Sequence, residues 1–385
     1  MFSRRSTSLC VSATLLLFFL TNCTQQEREP HTTPGSELHP TEENLLPAEM
    51  IDHTISSSDS VVERVDSTSL DWLTSIGRDS GEQPYMFGRI RYTGILDNQM
   101  LAIFDDQASH LRLFDLDTGE FLQQIGRPGR GPGEMVQVSG LYTTGSLLYV
   151  ADRMHKIEEF NLSGREEYDN RSNRVNFSPI GVCKLGDYIF AAGLVLDDQK
   201  ILHQYDAETF EHIRSFHDVY STDFHPARMV LSQIMLTCNE SSGRIIVVSS
   251  ILPYVYGYHP DGELAWVSEI QPFFPRRAEV VTRQGSTPSI NTGFHPDGFS
   301  DLHNRLVSSG DSETVVLQVI RFERENNEHV DGQTLTFSIN SRTGEGELLS
   351  RSLPNIQAYN RDFVITSTSS PFPQLLINKN NGVLP

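Results

Sequence analysis

One phrase occurs twice in this chain, and it constrains the fold more than any other feature. Ile125-Gly126-Arg127 opens a glycine-rich segment that ends at Met135, and Ile76-Gly77-Arg78 with Met86 repeats the same spacing. Self-similarity at a period of roughly 40 to 50 residues is typical of stacked supersecondary units. A strand hairpin lies between the two copies, so each unit is a small antiparallel sheet. The sequence therefore predicts a β-propeller.

Six short runs of β-branched and aromatic residues, bounded by Gly, Asp or Asn, predict the second strand of six blades. These runs are Leu101–Asp105, Leu148–Asp152, Tyr188–Ala192, Ile245–Val248, Val315–Val319 and Phe363–Thr366. After the sixth run only one strand pattern remains, at 374–378, so the last blade lacks an outer strand. Residues 70–77 have that pattern and are predicted to close the ring. We expect an all-β fold of six four-stranded antiparallel blades, with seven blades as the alternative.

The amino terminus has the order of a bacterial lipoprotein signal. Arg4 and Arg5 precede an apolar run, Val11 to Leu20, which is too short to span a bilayer. Cys23 follows at the lipobox position, although Asn22 stands where a small residue is usual; the alternative is a cleaved signal with an incidental cysteine. We expect a signal peptide over 1–22, lipidation of Cys23, a flexible acidic tether over 23–66 and the propeller over 67–385. The expected location is the outer membrane, facing the periplasm or the cell surface.

The net charge limits the kinds of partner that the protein can bind, and the cysteine content limits the disulfides that it can form. The formal net charge is −20, and removal of residues 1–22 with their two arginines makes it −22. Such a chain repels a phosphate backbone, so we expect no nucleic-acid partner. Cys183 and Cys238 remain after processing. A disulfide is permitted outside the cytoplasm, but the sequence favours two unpaired buried cysteines because a disulfide requires Cα atoms closer than about 7 Å.

The glycine-rich segment also carries a family resemblance. Flanked by strand pairs that end at Asp105 and Asp152, it resembles the six-bladed NHL-like propellers of bacterial lipoproteins, including the TolB-like group of Bacteroidetes relatives. The resemblance covers roughly Trp72 to Asn378, and it implies the fold and an extracytoplasmic address without catalytic residues that map here. We interpret the segment as a structural blade junction rather than a phosphate loop, since no helix follows it. Its residues are Gly126, Gly129, Gly131, Pro132, Gly133 and Glu134.

Three groups of side chains are candidates for a binding site. Asp105 and Asp152 end second strands, where metal-dependent propeller hydrolases place ligands, but the later blades lack matching carboxylates, which favours a role in turns. His110 and His155 occupy similar places in adjacent blades and are candidate ligand-binding residues. The longest connection contributes a basic patch for an anionic group, formed by Arg276, Arg277 and Arg283.

Two hypotheses for function follow from these features. The first is a membrane-anchored, non-enzymatic propeller that binds a protein, peptide or glycan and needs no cofactor. The alternative is a metal-dependent propeller hydrolase or lyase, similar to a lactonase, that holds calcium or another divalent metal in its central channel. The sequence favours the first and leaves the ligand unidentified.

Overall fold

The computed structural model describes residues 37–38, 45–97, 99–163, 168–195, 198–222, 225–281, 289–293, 295, 297–325, 328–329 and 332–385. In these ranges the protein is a six-bladed β-propeller with one short helix, α1 (His225–Leu231), and three 3-10 turns at Ala48–Met50, Ser67–Ser69 and Gln83–Tyr85. No helix among the described residues is long and apolar enough to cross a membrane.

The strands follow one another along the chain, and each blade pairs its strands in order from the channel outward. Before the first blade come β1 (Glu37–Leu38), β2 (His53–Ser56) and β3 (Asp71–Ile76). Blade A contains β4 (Ile90–Leu96), β5 (Met100–Asp105), β6 (His110–Asp115) and β7 (Phe121–Ile125). The short parallel pair β8 (Arg127–Pro128) and β9 (Glu134–Met135) leads to blade B, with β10 (Val138–Thr144), β11 (Leu147–Asp152), β12 (Lys156–Asn161) and β13 (Asp169–Arg174).

Blades C and D continue the pattern. Blade C contains β14 (Gly181–Leu185), β15 (Tyr188–Ala192), β16 (Lys200–Asp206) and β17 (His212–Asp218). Blade D contains β18 (Ile234–Asn239), β19 (Arg244–Ser249), β20 (Tyr254–Tyr258) and β21 (Leu264–Gln271). After it, β22 (Arg277–Val281) and β23 (Ser289–Gly293) form a separate small sheet with β1.

Blades E and F complete the ring. Blade E contains β24 (Phe299–Ser308), β25 (Thr314–Glu325), β27 (Gln333–Asn340) and β28 (Gly346–Ser350), and β26 (Glu328–His329) pairs with the end of β25. Blade F contains β29 (Asn355–Tyr359), β30 (Phe363–Thr368) and β31 (Gln374–Lys379), with β3 as its outer strand.

The core lies between the blades, which explains the composition of the second strands. Every residue of β5 is buried. A strand that is covered on both faces is apolar throughout instead of alternating, and this is the pattern from which the sequence predicts the six second strands. All six predicted runs fall within second strands of the structure. The prediction of six blades is therefore confirmed.

The amino-terminal strand closes the ring as predicted. β3 pairs antiparallel with β31, and its last residue, Ile76, is opposite Leu375 and fully buried. Because β3 supplies the outer strand that blade F lacks, the last blade has the same four strands as its neighbours. Trp72 lies on the outer side of this strand and remains 61% exposed.

The predicted tether is wrong for the part of it that the structure describes from residue 45 onward. β2 adds a fifth strand to blade D by pairing in parallel with β21. Ile55 is fully buried in the core cluster between blades D and E, which also contains Trp266 and Leu348. The segment carries too few apolar residues for composition to indicate order. Backbone pairing and the burial of Ile55, with partial burial of Leu46, Ile51 and Val61, supply that order.

The ring has two faces that we name by their connections. The turns between the first and second strands of each blade form the turn face, which includes Gly145 and Gly186. On the opposite side, the outer strand of one blade passes to the first strand of the next, and we call this side the connection face. The glycine-rich segment lies on the connection face between blades A and B.

Candidate functional site

A cavity of about 620 Å³ opens at the centre of the turn face. Its wall comes from the first strands of blades A, B, D, E and F and from the turns beside them. Ligand pockets in proteins typically enclose about 300 to 1,000 Å³, so this cavity has the size of a binding site. We call it the channel mouth.

Acidic side chains surround the opening of the channel mouth. Four carboxylates from four blades line it and are exposed, and we call them the acidic rim: Asp97, Glu240, Asp311 and Asp362. No lysine, arginine or histidine is among the described residues that line the cavity. Exposed Arg361 lies beside the rim, and its backbone amide donates to Asp311 Oδ2 at 3.4 Å. The opening therefore attracts cationic groups and repels anionic ones.

The wall below the rim is polar but uncharged. The Tyr142 hydroxyl donates to the carbonyl of Cys238 at 3.4 Å, and the Tyr359 hydroxyl donates to the carbonyl of Thr314 at 2.7 Å. Burial raises the pKa of both phenols, so they remain neutral donors. The hydroxyl of Thr93, a residue that is 9% exposed, has no hydrogen-bond partner among the described residues.

A disulfide joins two blades at the channel mouth. Cys183 on β14 and Cys238 on β18 are bonded, with their Cα atoms 5.6 Å apart, and Cys238 also lines the cavity. The expectation of two unpaired cysteines is therefore wrong. First strands of neighbouring blades converge at the channel, which brings together Cα atoms that are 55 residues apart in sequence. The bond fixes the spacing of blades C and D at the rim.

Arg305 lies across the channel at the inner end of the cavity. It is on β24 in blade E, directly before the cavity-lining residue Leu306. Its Nη2 donates to the carbonyl of Arg91 on β4 of blade A at 3.1 Å. Blade F stands between these two blades in the ring, so the guanidinium reaches its acceptor through the channel.

The two candidate histidines lie on the connection face, opposite the channel mouth. His110 Nδ1 donates to the carbonyl of Ala108 at 3.1 Å, and its Nε2 accepts from Arg112 Nε at 3.1 Å. Burial lowers the pKa of His110, which favours this neutral form. His155 is exposed in a turn at φ +62°. Neither residue lines the cavity, and the role of the pair as ligand-binding residues stays a prediction.

Two of the candidate arginines, Arg276 and Arg277, also belong to the connection face. The Arg276 guanidinium lies 5.9 Å from the ring centre of Phe322. Arg277 begins β22. Arg283 lies outside the described residues. The structure therefore brings together no basic patch that can be described, and the proposed anionic ligand of these residues stays a prediction.

The two candidate metal ligands bind backbone amides instead of converging on the channel. Asp105 accepts from three amides and Asp152 from three more: those of Gly88, Arg89 and Gln107, and those of Val136, Gln137 and Met154. Each carboxylate thus fastens the start of its blade's first strand to the end of the second. Among the described residues, no three His, Cys, Asp or Glu side chains form a group that could hold a metal.

The glycine-rich segment is held by a carboxylate of its own. Glu134 Oε2 accepts from the Gly131 amide at 2.8 Å, and this bond lowers the Glu134 pKa. Gly126, Gly129 and Gly133 have positive φ. At Gly129 a Cβ would also collide with the Glu134 carboxylate. Pro132 lies between these residues, and the whole turn takes the chain from blade A to blade B.

A buried ion pair beneath this segment was not found from the sequence. Lys156 Nζ and Glu158 Oε1 lie 2.8 Å apart on β12, and their side chains are 3% and 0% exposed. Lys156 donates to the carbonyl of Gly131 at 3.0 Å, and Glu158 accepts from the amide of Gly133 at 3.0 Å. The pair therefore joins the blade junction to the third strand of blade B. The sequence did contain a signal for this ion pair, because Lys156 and Glu158 are two residues apart on one strand and their side chains therefore lie on the same face.

Sequence reasoning also missed the acidic rim. Its four members lie in turns between first and second strands. Acidic residues are common in turns, so no one of the four indicates a site by itself. Comparison of the same turn across all blades would have found them, because only the ring brings together positions that are far apart in sequence.

Comparisons with known proteins agree with this architecture. A family model described as a 6-bladed beta-propeller, DUF5128, matches residues 85–265. A candidate exported protein from Bacteroides fragilis superposes with a TM-score of 0.53 at 13% identity, covering 84% of this chain and 98% of that one. A duf4221 family member from Bacteroides vulgatus superposes with a TM-score of 0.50 at 10% identity, covering 80% and 97%. A search of curated proteins finds no match. At these identities the likeness establishes the fold alone.

Proposed function

We propose that the protein is a non-enzymatic binding module of the cell envelope. In this proposal a lipid on Cys23 holds it at the outer membrane, and the channel mouth binds a partner protein, peptide or glycan. The observation that carries the proposal is the channel mouth itself, a cavity of about 620 Å³ walled by five blades. A rigid ring that surrounds a polar cavity presents a preformed surface, which lowers the entropic cost of binding.

The charge of the site supports a cationic partner. The acidic rim places Asp97, Glu240, Asp311 and Asp362 around one opening, and the chain as a whole is acidic. Positively charged groups are steered toward such an opening, whereas nucleic acid is repelled. Binding is favoured over hydrolysis because Asp105 and Asp152 are engaged with backbone amides.

The proposed location in the cell envelope is supported by the amino-terminal sequence and by a structural neighbour. The signal-like residues 1–22 and Cys23 support export and lipidation, and a structural neighbour is described as a candidate exported protein. The resemblance to NHL-like and TolB-like lipoprotein propellers points the same way. A chain in which Cys23 is replaced by serine should lose lipid labelling and leave the membrane fraction. If Cys23→Ser stays membrane-bound and labelled, Cys23 is not the lipidated residue.

A pair of matched variants tests the channel mouth as the binding surface. In the first variant, the four rim carboxylates are replaced by lysine. In the control, four exposed acidic residues between third and fourth strands of the same face are replaced by lysine: Asp117, Glu208, Glu263 and Glu345. Both variants change net charge equally. Each purified protein is incubated with solubilised envelope, and bound species are identified by cross-linking and mass spectrometry.

We expect the wild type and the control variant to retain the same cross-linked species, and the rim variant to lose them. Cross-links should fall on turns at the channel mouth, such as the one containing Gly310. Equal capture by all three proteins, or cross-links confined to the connection face, would show that the partner binds elsewhere.

A further inference from the structure

Arg305 is a cation inside the channel that has no counter-ion in the part of the chain that the structure describes. It makes no ion pair with any described residue, and its one hydrogen bond is to the carbonyl of Arg91. Its Nε is buried and has no partner among the described residues. Arg91, the other cation at this level, directs its own groups to the Tyr92 hydroxyl and to Asp106. Charged groups in protein interiors are normally paired, so Arg305 is suited to bind an anionic group that enters the channel.

A second unsatisfied donor lies close by on the cavity wall. Thr93 is two residues from Arg91 on β4, and its buried hydroxyl has no partner among the described residues. Thr93 and Leu306, which follows Arg305, both line the cavity. Directly beyond the inner end of the channel mouth thus lies a guanidinium with no ion pair to a described residue, and on the wall beside it lies a hydroxyl with no described partner. A carboxylate accepts from both kinds of donor.

The acidic rim lies at the opposite end of the same cavity. Thr93 and Asp97 are four residues apart on one strand and the turn that follows it, which corresponds to about 13 Å at roughly 3.3 Å per residue. An anion that enters through the rim is repelled unless it also carries positive charge. The ligand that satisfies both ends has a carboxylate at its leading end and a cation about 13 Å behind it. An extended peptide covers that distance with about four residues.

We propose that Arg305 binds the carboxylate at the C-terminus of a peptide whose lysine or arginine, about three residues earlier, contacts the acidic rim. This inference rests on the proposed function and adds the chemistry of the partner. In the complex, the C-terminal carboxylate lies beside Arg305 and Thr93, and the cationic side chain lies near Asp97. The channel mouth then recognises an end of a chain rather than an internal segment.

Acetylated tetrapeptide pools provide the test, with lysine first and three randomised positions. One pool has a free C-terminal carboxylate, a second has a C-terminal amide, and a third has norleucine in place of lysine. Binding to the whole purified protein is measured by ligand-observed NMR. Arg305→Met removes the cation, Arg305→Lys keeps it, and Arg361→Met is the control for loss of an exposed arginine beside the rim. Thermal unfolding confirms that each variant is folded.

We expect the free-acid lysine pool to bind at least about tenfold more tightly than the amide pool, since one hydrogen bond to a charged group is enough to change affinity by that factor. Arg305→Met should abolish this preference, Arg305→Lys should retain part of it, and Arg361→Met should leave it unchanged. Equal binding of acid and amide pools, or no binding of the free-acid pool by the wild type, overturns the proposal. If the rim variant also loses its envelope partner in that case, the proposed function stands and only this inference fails.

Discussion

Removing the disulfide between blades C and D should destabilise the propeller by about 4 kcal/mol. The variant replaces Cys183 and Cys238 by alanine, so that no lone thiol remains. The bond closes a loop of 55 residues. In the chain-entropy treatment a loop of that length contributes about 14 cal/mol/K, which is about 4 kcal/mol at 25 °C. Loss of two buried sulfur atoms adds to this cost, because Cys183 and Cys238 are 0% and 1% exposed.

Urea unfolding without reductant measures the effect on the free energy of unfolding. The wild type treated with reductant serves as the internal control and should unfold close to the alanine variant. Alkylation of the non-reduced, unfolded wild type should leave Cys183 and Cys238 unmodified. A loss of less than about 1 kcal/mol, or two alkylated cysteines, would refute the reasoning that links the convergence of first strands to a covalent bond.

Three further predictions concern the core and the blade junction. Glu158→Gln should cost about 3 to 5 kcal/mol in urea unfolding because it leaves the buried Lys156 without its counter-ion, and a loss below about 1 kcal/mol would contradict this. Gly129→Ala should cost more than Gly81→Ala, since φ is +152° and +118° at the two positions but only Gly129 is crowded by Glu134; equal costs would exclude crowding as the cause. Burial lowers the pKa of both His303 and His217 to about 4, so protonation favours the unfolded chain and each histidine should lower stability by about 3 kcal/mol between pH 6.5 and pH 4; His303→Leu should remove about half of the combined loss, and an unchanged pH dependence would contradict this.

Much of the fold could be predicted because the second strand of each blade is covered on both faces. Burial on both sides selects a continuous apolar run, as in Leu101–Asp105, and that signal is local in sequence. Ring closure was predictable for a related reason, since blade F visibly lacked one strand and 70–77 supplied it. Both inferences needed only the pattern of one segment and a count of strands.

The parts of the fold and of the candidate site that were not predicted depend on contacts between segments that are distant in sequence. β2 is ordered by the outer edge of blade D, and nothing in residues 53–56 alone reveals that edge. Asp97 and Asp311 become neighbours at one opening only after the ring has closed. Arg305 resembles any strand arginine until its position in the channel is known. The sequence candidates therefore lie on the connection face, where the glycine-rich segment and the histidines are conspicuous, whereas the cavity opens on the turn face.

The pairing of β3 with β31 has a consequence for how the chain is made. Asp71 is opposite Lys379, so the first strand of the closed ring finds its partner only when the last strand has been synthesised. Until then β3 has an unsatisfied edge and exposes the apolar side chain of Ile76, which is fully buried in the closed ring. A ribosome that stalls before residue 374 releases an open arc, and such arcs are natural substrates for chaperones and proteases. The ring can therefore close only in chains that have been synthesised to the last strand.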